Sequence, residues 1–170
     1  MKLIDIHSHI LQNIDDGSES VEMAIELLKE SANQNVGTVV LTPHYYPSEK
    51  QTVESFLNNR QKALELLKGE MGKQEFDFPH LKLGAEVALT ADLSKVQDIE
   101  KLAIEGTNYI LIEMSYEVWQ DWMFENLYFL IAAKNLIPVI AHIERYTAKD
   151  SECIAKLGSI LSDQRIFSFE

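Results

Sequence analysis

Five short runs rich in Val, Ile and Leu recur along this chain: Leu3 to Ser8, Gly37 to Thr42, Leu81 to Val87, Tyr109 to Met114 and Pro138 to Ile143. Each is nearly continuous in apolarity rather than alternating. That is the pattern of a strand covered on both faces, and so of a parallel sheet. Amphipathic segments fill the intervals. Ser18 or Ser20 can cap a helix with Val21, Ala24, Ile25, Leu28 and Ala32 on one face and Glu19 and Glu22 near its positive end. Thr52 opens a second with Val53, Phe56, Leu57, Leu64 and Leu67, and Asp92 precedes a third with Val96, Ile99, Leu102 and Ala103. A fourth carries Trp119, Trp122, Met123, Leu127, Leu130 and Ala133, and Asp150 begins a fifth through Ile154, Leu157 and Leu161. Five β–α units joined by right-handed crossovers leave two architectures, a TIM-like barrel or an open doubly wound sheet. No Gly-rich fingerprint follows the first strand, which disfavours a dinucleotide-binding sheet. Both architectures gather chemistry at the carboxyl ends of their strands.

The chain has 170 residues, 46% of them hydrophobic, which suits a single domain over residues 1–170 with a substantial core. A formal charge of −12 argues against nucleic acid or an anionic membrane as partner, since those surfaces demand basic patches. Met1-Lys2 leads straight into Asp5, His7 and His9, leaving no room for a signal-peptide apolar region, and no run is long enough to span a membrane. The lone Cys153 excludes an internal disulfide framework and fits a reducing compartment. The expectation is a cytoplasmic protein.

The strand ends carry the chemistry. In Asp5-Ile6-His7-Ser8-His9, alternation along a strand turns His7 and His9 to one face with Asp5 behind them. Two imidazoles converging at a strand's carboxyl end make half a site for a divalent metal. The second strand ends in Thr42-Pro43-His44, the third in Gly84-Ala85-Glu86, the fourth in Ile112-Glu113 and the fifth in Ala141-His142. A Glu buried in an apolar strand is costly unless paired or metal-bound, and two of them occur in register with three histidine-bearing strands. His80, at the start of the third strand, falls on the opposite rim and reads as a surface residue. The turn Asp15-Asp16-Gly17 either folds back to supply a further ligand or is a plain loop turn with helix-capping acids. Imidazole and carboxylate without thiolate suit Mn, Fe or Zn alike. Two or three such ions a few ångströms apart are a standard device for phosphate-ester hydrolysis, polarising phosphoryl oxygens and supplying hydroxide in line for attack. Arg145, just beyond the fifth strand, either donates to a phosphate oxygen or leaving group or pairs with a surface acid such as Glu144. Other phosphatase chemistries are excluded: Ser159, not arginine, stands six residues after Cys153, and neither a P-loop nor G-x-S-x-G is present.

Taken with Asn13-Ile14-Asp15-Asp16-Gly17-Ser18 and His142-Ile143-Glu144-Arg145-Tyr146, these motifs resemble the polymerase-and-histidinol-phosphatase (PHP) superfamily. Within it they are most similar to the CpsB/CapC group of bacterial manganese-dependent tyrosine phosphatases, over residues 2 to about 148. The resemblance implies an α/β fold, a distorted TIM-like (β/α)7 barrel, with a trinuclear centre of divalent ions, most often Mn. It also implies action on a phosphotyrosine protein, the tyrosine kinase of capsule or exopolysaccharide synthesis. By the same resemblance His7 and His9 hold the first metal, Glu86 bridges it to the second, Glu113 and His142 complete the second, and Asp16 and His44 serve the third. Arg145 then assists phosphate binding or leaving-group departure.

Tyr45 stands where relatives carry a second histidine, and a larger departure lies further on. The family continues to an Asp-x-His at the tip of its last strand, one ligand for the first metal and one for the third. This chain has no histidine after His142, and its segment Gln164 to Glu170 is read as a sixth strand. The expectation is a single PHP-like metallophosphatase domain lacking its last strand or strands, with an exposed sheet edge. Its first and third metal sites would each be one ligand short. Two other readings stand beside the phosphatase: a truncated, non-catalytic PHP-like metal-binding protein, and a metal-dependent hydrolase of the amidohydrolase kind, which also begins with His-x-His on a barrel strand. The Asp-Asp-Gly and Glu-Arg-Tyr contexts favour the phosphatase.

Overall fold

The computed structural model describes residues 1–48, 51–115 and 119–147 together with Gly158. The expected helix from Asp150, the expected strand from Gln164 and Cys153 lie outside the described residues. The strands are β1 (Leu3–Ser8), β2 (Val36–Leu41), β3 (His44–Tyr45), β4 (His80–Leu83), β5 (Glu86–Ala88), β6 (Tyr109–Glu113) and β7 (Ile137–Ile140). Every pairing between them is parallel, in two ladders ordered β1-β2-β4 and β3-β5-β6-β7.

The two ladders are one sheet with a seam. β2 covers the second expected strand and β3 continues its line past Pro43, while β4 and β5 are halves of the third. Hydrogen bonds carry the pairing across the gap: Thr42 N–H to the Ser8 carbonyl (2.9 Å), Gly84 N–H to that of Leu41 (2.9 Å) and Glu86 N–H to that of Pro43 (3.1 Å). Pro43 has no N–H to donate, so the ladder must break where it stands. Side chains fill the seam. Ser8 N–H donates to Thr42 Oγ1 (2.9 Å), and the Ser8 hydroxyl donates to the Val40 carbonyl (2.8 Å). The buried Arg60 donates to the Gly84 carbonyl, with its guanidinium 5.5 Å from the Phe56 ring. Burial lowers its pKa to about 10, which still leaves it a cation at neutral pH.

Read through the seam, spatial order follows chain order without a reversal. A doubly wound sheet needs a switch point where that order turns back, and none exists among the described strands. Among the described strands β1 and β7 are the edges, and β1 exposes Leu3 (53%), Ile4 (65%) and Ile6 (45%). Yet their carboxyl ends approach each other, with the His7 and His142 rings 5.9 Å apart. The sheet therefore curls strongly at that end.

Helices α1 (Val21–Asn33), α2 (Val53–Met71) and α3 (Asp121–Lys134) cover the convex face, and α4 (Glu144–Thr147) is a single turn. Ser20, rather than Ser18, caps α1 by accepting from Met23 N–H (3.2 Å), and Thr52 caps α2 by accepting from Ser55 N–H (3.2 Å). Trp119 precedes α3 instead of lying within it. The expected third helix is absent. Two 3-10 turns, Leu93–Lys95 and Ile99–Leu102, take its place, because Asp98 sits in the left-handed region (φ 58°) and stops helical propagation. Ile99 and Leu102 are nonetheless fully buried, with Val96 and Ala103 packed against the same core, so the apolar spacing reported core positions and not a helix. Val39 and Leu41 pack with Ala24, Leu28 and Leu67, while Val87, Ile110 and Ile112 pack with Leu127 and Leu130. Each such side chain contributes about 1.5–3 kcal/mol by leaving water. No described helix is long and apolar enough to cross a membrane.

Candidate metal centre

Alternation along the strands decides which side chains reach the concave side. On β5 and β6, Val87, Ile110 and Ile112 go to the helices, and Glu86 and Glu113 go to a cleft of about 330 Å³. The cleft is lined by His7, Ser8, His9, Asp16, His44, Glu86, Glu113, His142 and Arg145. Every residue singled out at a strand end is therefore in one place, while His80 is exposed at the start of β4.

Glu86 is the hub. Its side chain is 1% exposed, and four imidazoles surround it: Oε2 lies 2.9 Å from His7 Nε2, 3.0 Å from His9 Nε2 and 3.3 Å from His44 Nδ1, while Oε1 lies 3.0 Å from His142 Nε2. Burial alone would raise its pKa, but the bonds to His7 and His9 outweigh that and hold it well below the usual carboxylate range. Glu113 offers its two oxygens 3.6 Å from His44 Nδ1 and 3.6 Å from His142 Nε2.

The turn after β1 brings in the two aspartates. Gly17 is obligatory there, because an added Cβ would overlap the His9 carbonyl oxygen, which accepts from Ser18 N–H (3.1 Å). The adjacent acids then take different roles. Asp15, with a 5%-exposed side chain, accepts at Oδ2 from His9 Nδ1 (2.7 Å) and His44 N–H (2.9 Å), and at Oδ1 from Gly17 N–H (3.0 Å). Burial opposes its ionisation, and these three bonds outweigh that, so its pKa is lowered. Asp16 is 84% exposed and places Oδ1 3.7 Å from His44 Nε2. An ionised carboxylate can only accept, so His9 carries its proton on Nδ1 and turns Nε2 toward Glu86 and toward His7 Nε2, 3.1 Å away. The bond to Asp15, then that to Glu86, raises the His9 pKa to about 10.

Three groups of ligand atoms each gather within 4.8 Å: His7, His9 and Glu86; His9, Asp16 and His44; and His44, Glu86 and Glu113. These residues fit divalent cations, and His44 shows why. Its Nδ1 is buried and makes no hydrogen bond to a described residue, although two carboxylate oxygens lie at 3.3 and 3.6 Å. Lone pairs converging without a proton bridge are what a cation satisfies. Imidazolium protons and a divalent ion are alternative occupants of such lone pairs.

Residue reasoning missed Asp15 as the partner of His9, and it missed Tyr46. The Tyr46 ring stacks on His44 (centroids 5.2 Å apart, 27° between planes), and burial followed by the surrounding acids raises its pKa to about 12. The signal for Asp15 was the doubled Asp itself; Tyr46 carries none. Arg145 stands at the rim with a 59%-exposed side chain, its Nε 4.0 Å from Glu144 Oε1.

The family model for "Capsular polysaccharide synthesis, CpsB/CapC" matches residues 3–161. Tyrosine-protein phosphatase CpsB of Streptococcus pneumoniae is 35% identical over 155 residues, covering 88% of this chain and 60% of that protein. CpsB of Streptococcus agalactiae serotype V is 32% identical over 156 residues, with coverage of 88% and 60%. A solved chain described under "Crystal structures of YwqE from Bacillus subtilis and CpsB from Streptococcus pneumoniae, unique metal-dependent tyrosine phosphatases" superposes with a TM-score of 0.77. Identity there is 27%, over 93% of this chain and 63% of that one. The chain thus spans about 60% of the length of the curated relatives it matches.

Proposed function

This chain belongs to the CpsB/CapC family of capsular polysaccharide synthesis proteins, and from that premise we propose that it is a metal-dependent protein-tyrosine phosphatase. One observation carries the reading: a fully buried carboxylate, Glu86, met by four imidazoles and flanked by Glu113 at the carboxyl ends of parallel strands. The ordered parallel arc is read as part of a PHP-type, TIM-like (β/α)7 barrel forming a single metallophosphatase domain.

In this reading His7, His9 and Glu86 hold one ion, Glu86, Glu113 and His142 a second, and Asp16 and His44 a third. Manganese is the proposed metal, with iron or zinc compatible with the same donors. When bound, such ions polarise phosphoryl oxygens and lower the pKa of water. The chain's own residues set the rest. Asp15 keeps the His9 Nε2 lone pair turned into the cleft. Among the described residues lining the cleft there is no lysine and Arg145 is the one arginine, at the rim, so imidazolium protons or divalent ions are left to offset the charge of Glu86 and Glu113. Arg145 at the rim donates to a phosphate oxygen or to the departing phenolate, which suits a planar guanidinium. The proposed substrate is a phosphotyrosine protein, a bacterial tyrosine kinase of polysaccharide synthesis, met in the cytoplasm.

The test is hydrolysis of p-nitrophenyl phosphate and a phosphotyrosine peptide by the purified chain supplied in turn with Mn²⁺, Fe²⁺ and Zn²⁺. Turnover that needs the metal and disappears in Glu86→Gln is expected. A chain that binds metal and remains inert with each ion refutes the phosphatase reading, and turnover of amides but not phosphate esters replaces it with the amidohydrolase one.

A further inference from the structure

The β6–β7 ladder closes with Ala141 N–H donating to the Ile112 carbonyl (2.9 Å). Beyond that bond the two strands separate, one toward Glu113 and Met114 and the other toward His142. His142 has a positive φ of 34°, a conformation that costs energy for a residue with a Cβ and so must be held by its surroundings. Four residues later, in α4, stands Tyr146, which is 6% exposed. Its hydroxyl donates to the Met114 carbonyl (2.9 Å), next to Glu113. Its ring lies 5.5 Å from the His142 ring at 47°, and Trp119 lies against it at 5.4 Å. A turn closed by Arg145 N–H to the His142 carbonyl (2.9 Å) and Tyr146 N–H to that of Ile143 (3.1 Å) brings Tyr146 back over His142.

We propose that Tyr146 is a positioning residue: its hydroxyl pins the end of β6 while its ring backs His142, setting the spacing between His142 and Glu113. Those two side chains are 3.6 Å apart, and each faces Glu86 or its histidines. One side chain therefore spans the two strand ends at the point where backbone pairing stops. The inference rests on the reading that Glu86, Glu113 and His142 share an ion, and it concerns that ion alone.

The experiment is calorimetric titration of the metal-free chain with Mn²⁺, for wild type, Tyr146→Phe, Glu113→Ala and the double variant. Titration with Co²⁺, whose absorption bands report ligand geometry, accompanies it. Losing one buried hydrogen bond is expected to weaken one ion by about 3- to 10-fold and to shift one set of Co²⁺ bands. The remaining ions should stay within about twofold. In the Glu113→Ala background, Tyr146→Phe should add nothing, because the lost hydroxyl acts on the strand end that carries this carboxylate. Trp119→Phe, which loosens the far side of the Tyr146 ring, is the second variant and should weaken the same ion. Unchanged affinities in Tyr146→Phe, uniform weakening of every ion, or an additive loss in the double variant each overturn the proposal. A wild-type chain that takes up no metal overturns the reading of the site itself, a result plainly different from a wild type and a Tyr146→Phe that bind equally well.

Discussion

Replacing Asp15 by asparagine changes almost no volume and tests the electrostatic logic of the centre. The carboxylate accepts three hydrogen bonds, from His9 Nδ1 (2.7 Å), His44 N–H (2.9 Å) and Gly17 N–H (3.0 Å). An amide offers one oxygen and one NH₂. If the oxygen faces His9 and His44, Gly17 N–H meets a donor; if it faces Gly17, the other two do. Either way a buried N–H loses its partner, at a cost of about 1–3 kcal/mol. The second flip also lets the amide donate to His9 Nδ1, which moves the imidazole proton to Nε2 and blocks the ligand atom. Losing such an orienting group lowers metal affinity about 10- to 100-fold, or about 1.4–2.7 kcal/mol. His9 serves the first ion, and Asp15 also accepts from the N–H of His44, a ligand of the third. Calorimetry with Mn²⁺ should therefore show two ions weakened in Asp15→Asn and the ion near Glu113 spared. Nitrogen NMR of the imidazoles reads the tautomer directly. Affinities within about twofold of wild type together with an unchanged His9 tautomer would refute this account of how the ligand is oriented.

Arg145→Ala should lower kcat/KM for a phosphotyrosine peptide about 10- to 100-fold, as expected for one lost charge-assisted hydrogen bond, with Mn²⁺ affinity unchanged. Arg145→Lys should recover only part of that, and steady-state kinetics beside a metal titration separates the two effects. Gly17→Ala should drive the turn off the His9 carbonyl and displace Asp15 and Asp16. Metal binding should then weaken while a urea melt shows a loss of only about 1–2 kcal/mol, since the turn lies outside the packed core. For the metal-free chain, the sign of each pKa shift sets the pH profile. His9, raised from 6.5 to about 10, contributes stability that is complete below pH 6.5 and lost as pH rises through 10. Asp15 and Glu86, both lowered, contribute stability present above their ordinary values of 3.8 and 4.5 and lost on acidification. Urea midpoints in chelator should therefore peak between about pH 4.5 and 6.5 and decline toward alkaline pH, whereas a flat profile from 6.5 to 10 contradicts the pairing.

The five strands were legible because continuous apolar runs have few alternatives in a chain of this size, and each appears within a residue of its expected bounds, apart from the third strand's interruption and the fifth, which ends at Ile140 and not Ile143. That interruption turns on Pro43, whose missing N–H acts on the neighbouring strand, and on Arg60, which arrives from α2. Neither partner is adjacent in sequence. The third helix misled because its apolar spacing is the same for two 3-10 turns, and only the left-handed Asp98 tells them apart.

By itself, the sequence determined which ligand types sit at which strand ends, since strand periodicity sends alternate side chains to one face and strand parallelism puts all those ends together. The opening His7-Ser8-His9 and the paired Glu86 and Glu113 needed nothing more to be recognised as one constellation. Only tertiary structure decided that Glu86 is shared by four imidazoles, that Asp15 orients a ligand while its neighbour Asp16 faces the open cleft, and that Tyr146 bridges two strand ends. These are matters of distance between elements far apart in the chain, set by how tightly the sheet curls and how the loops return. Local periodicity carries no information about either.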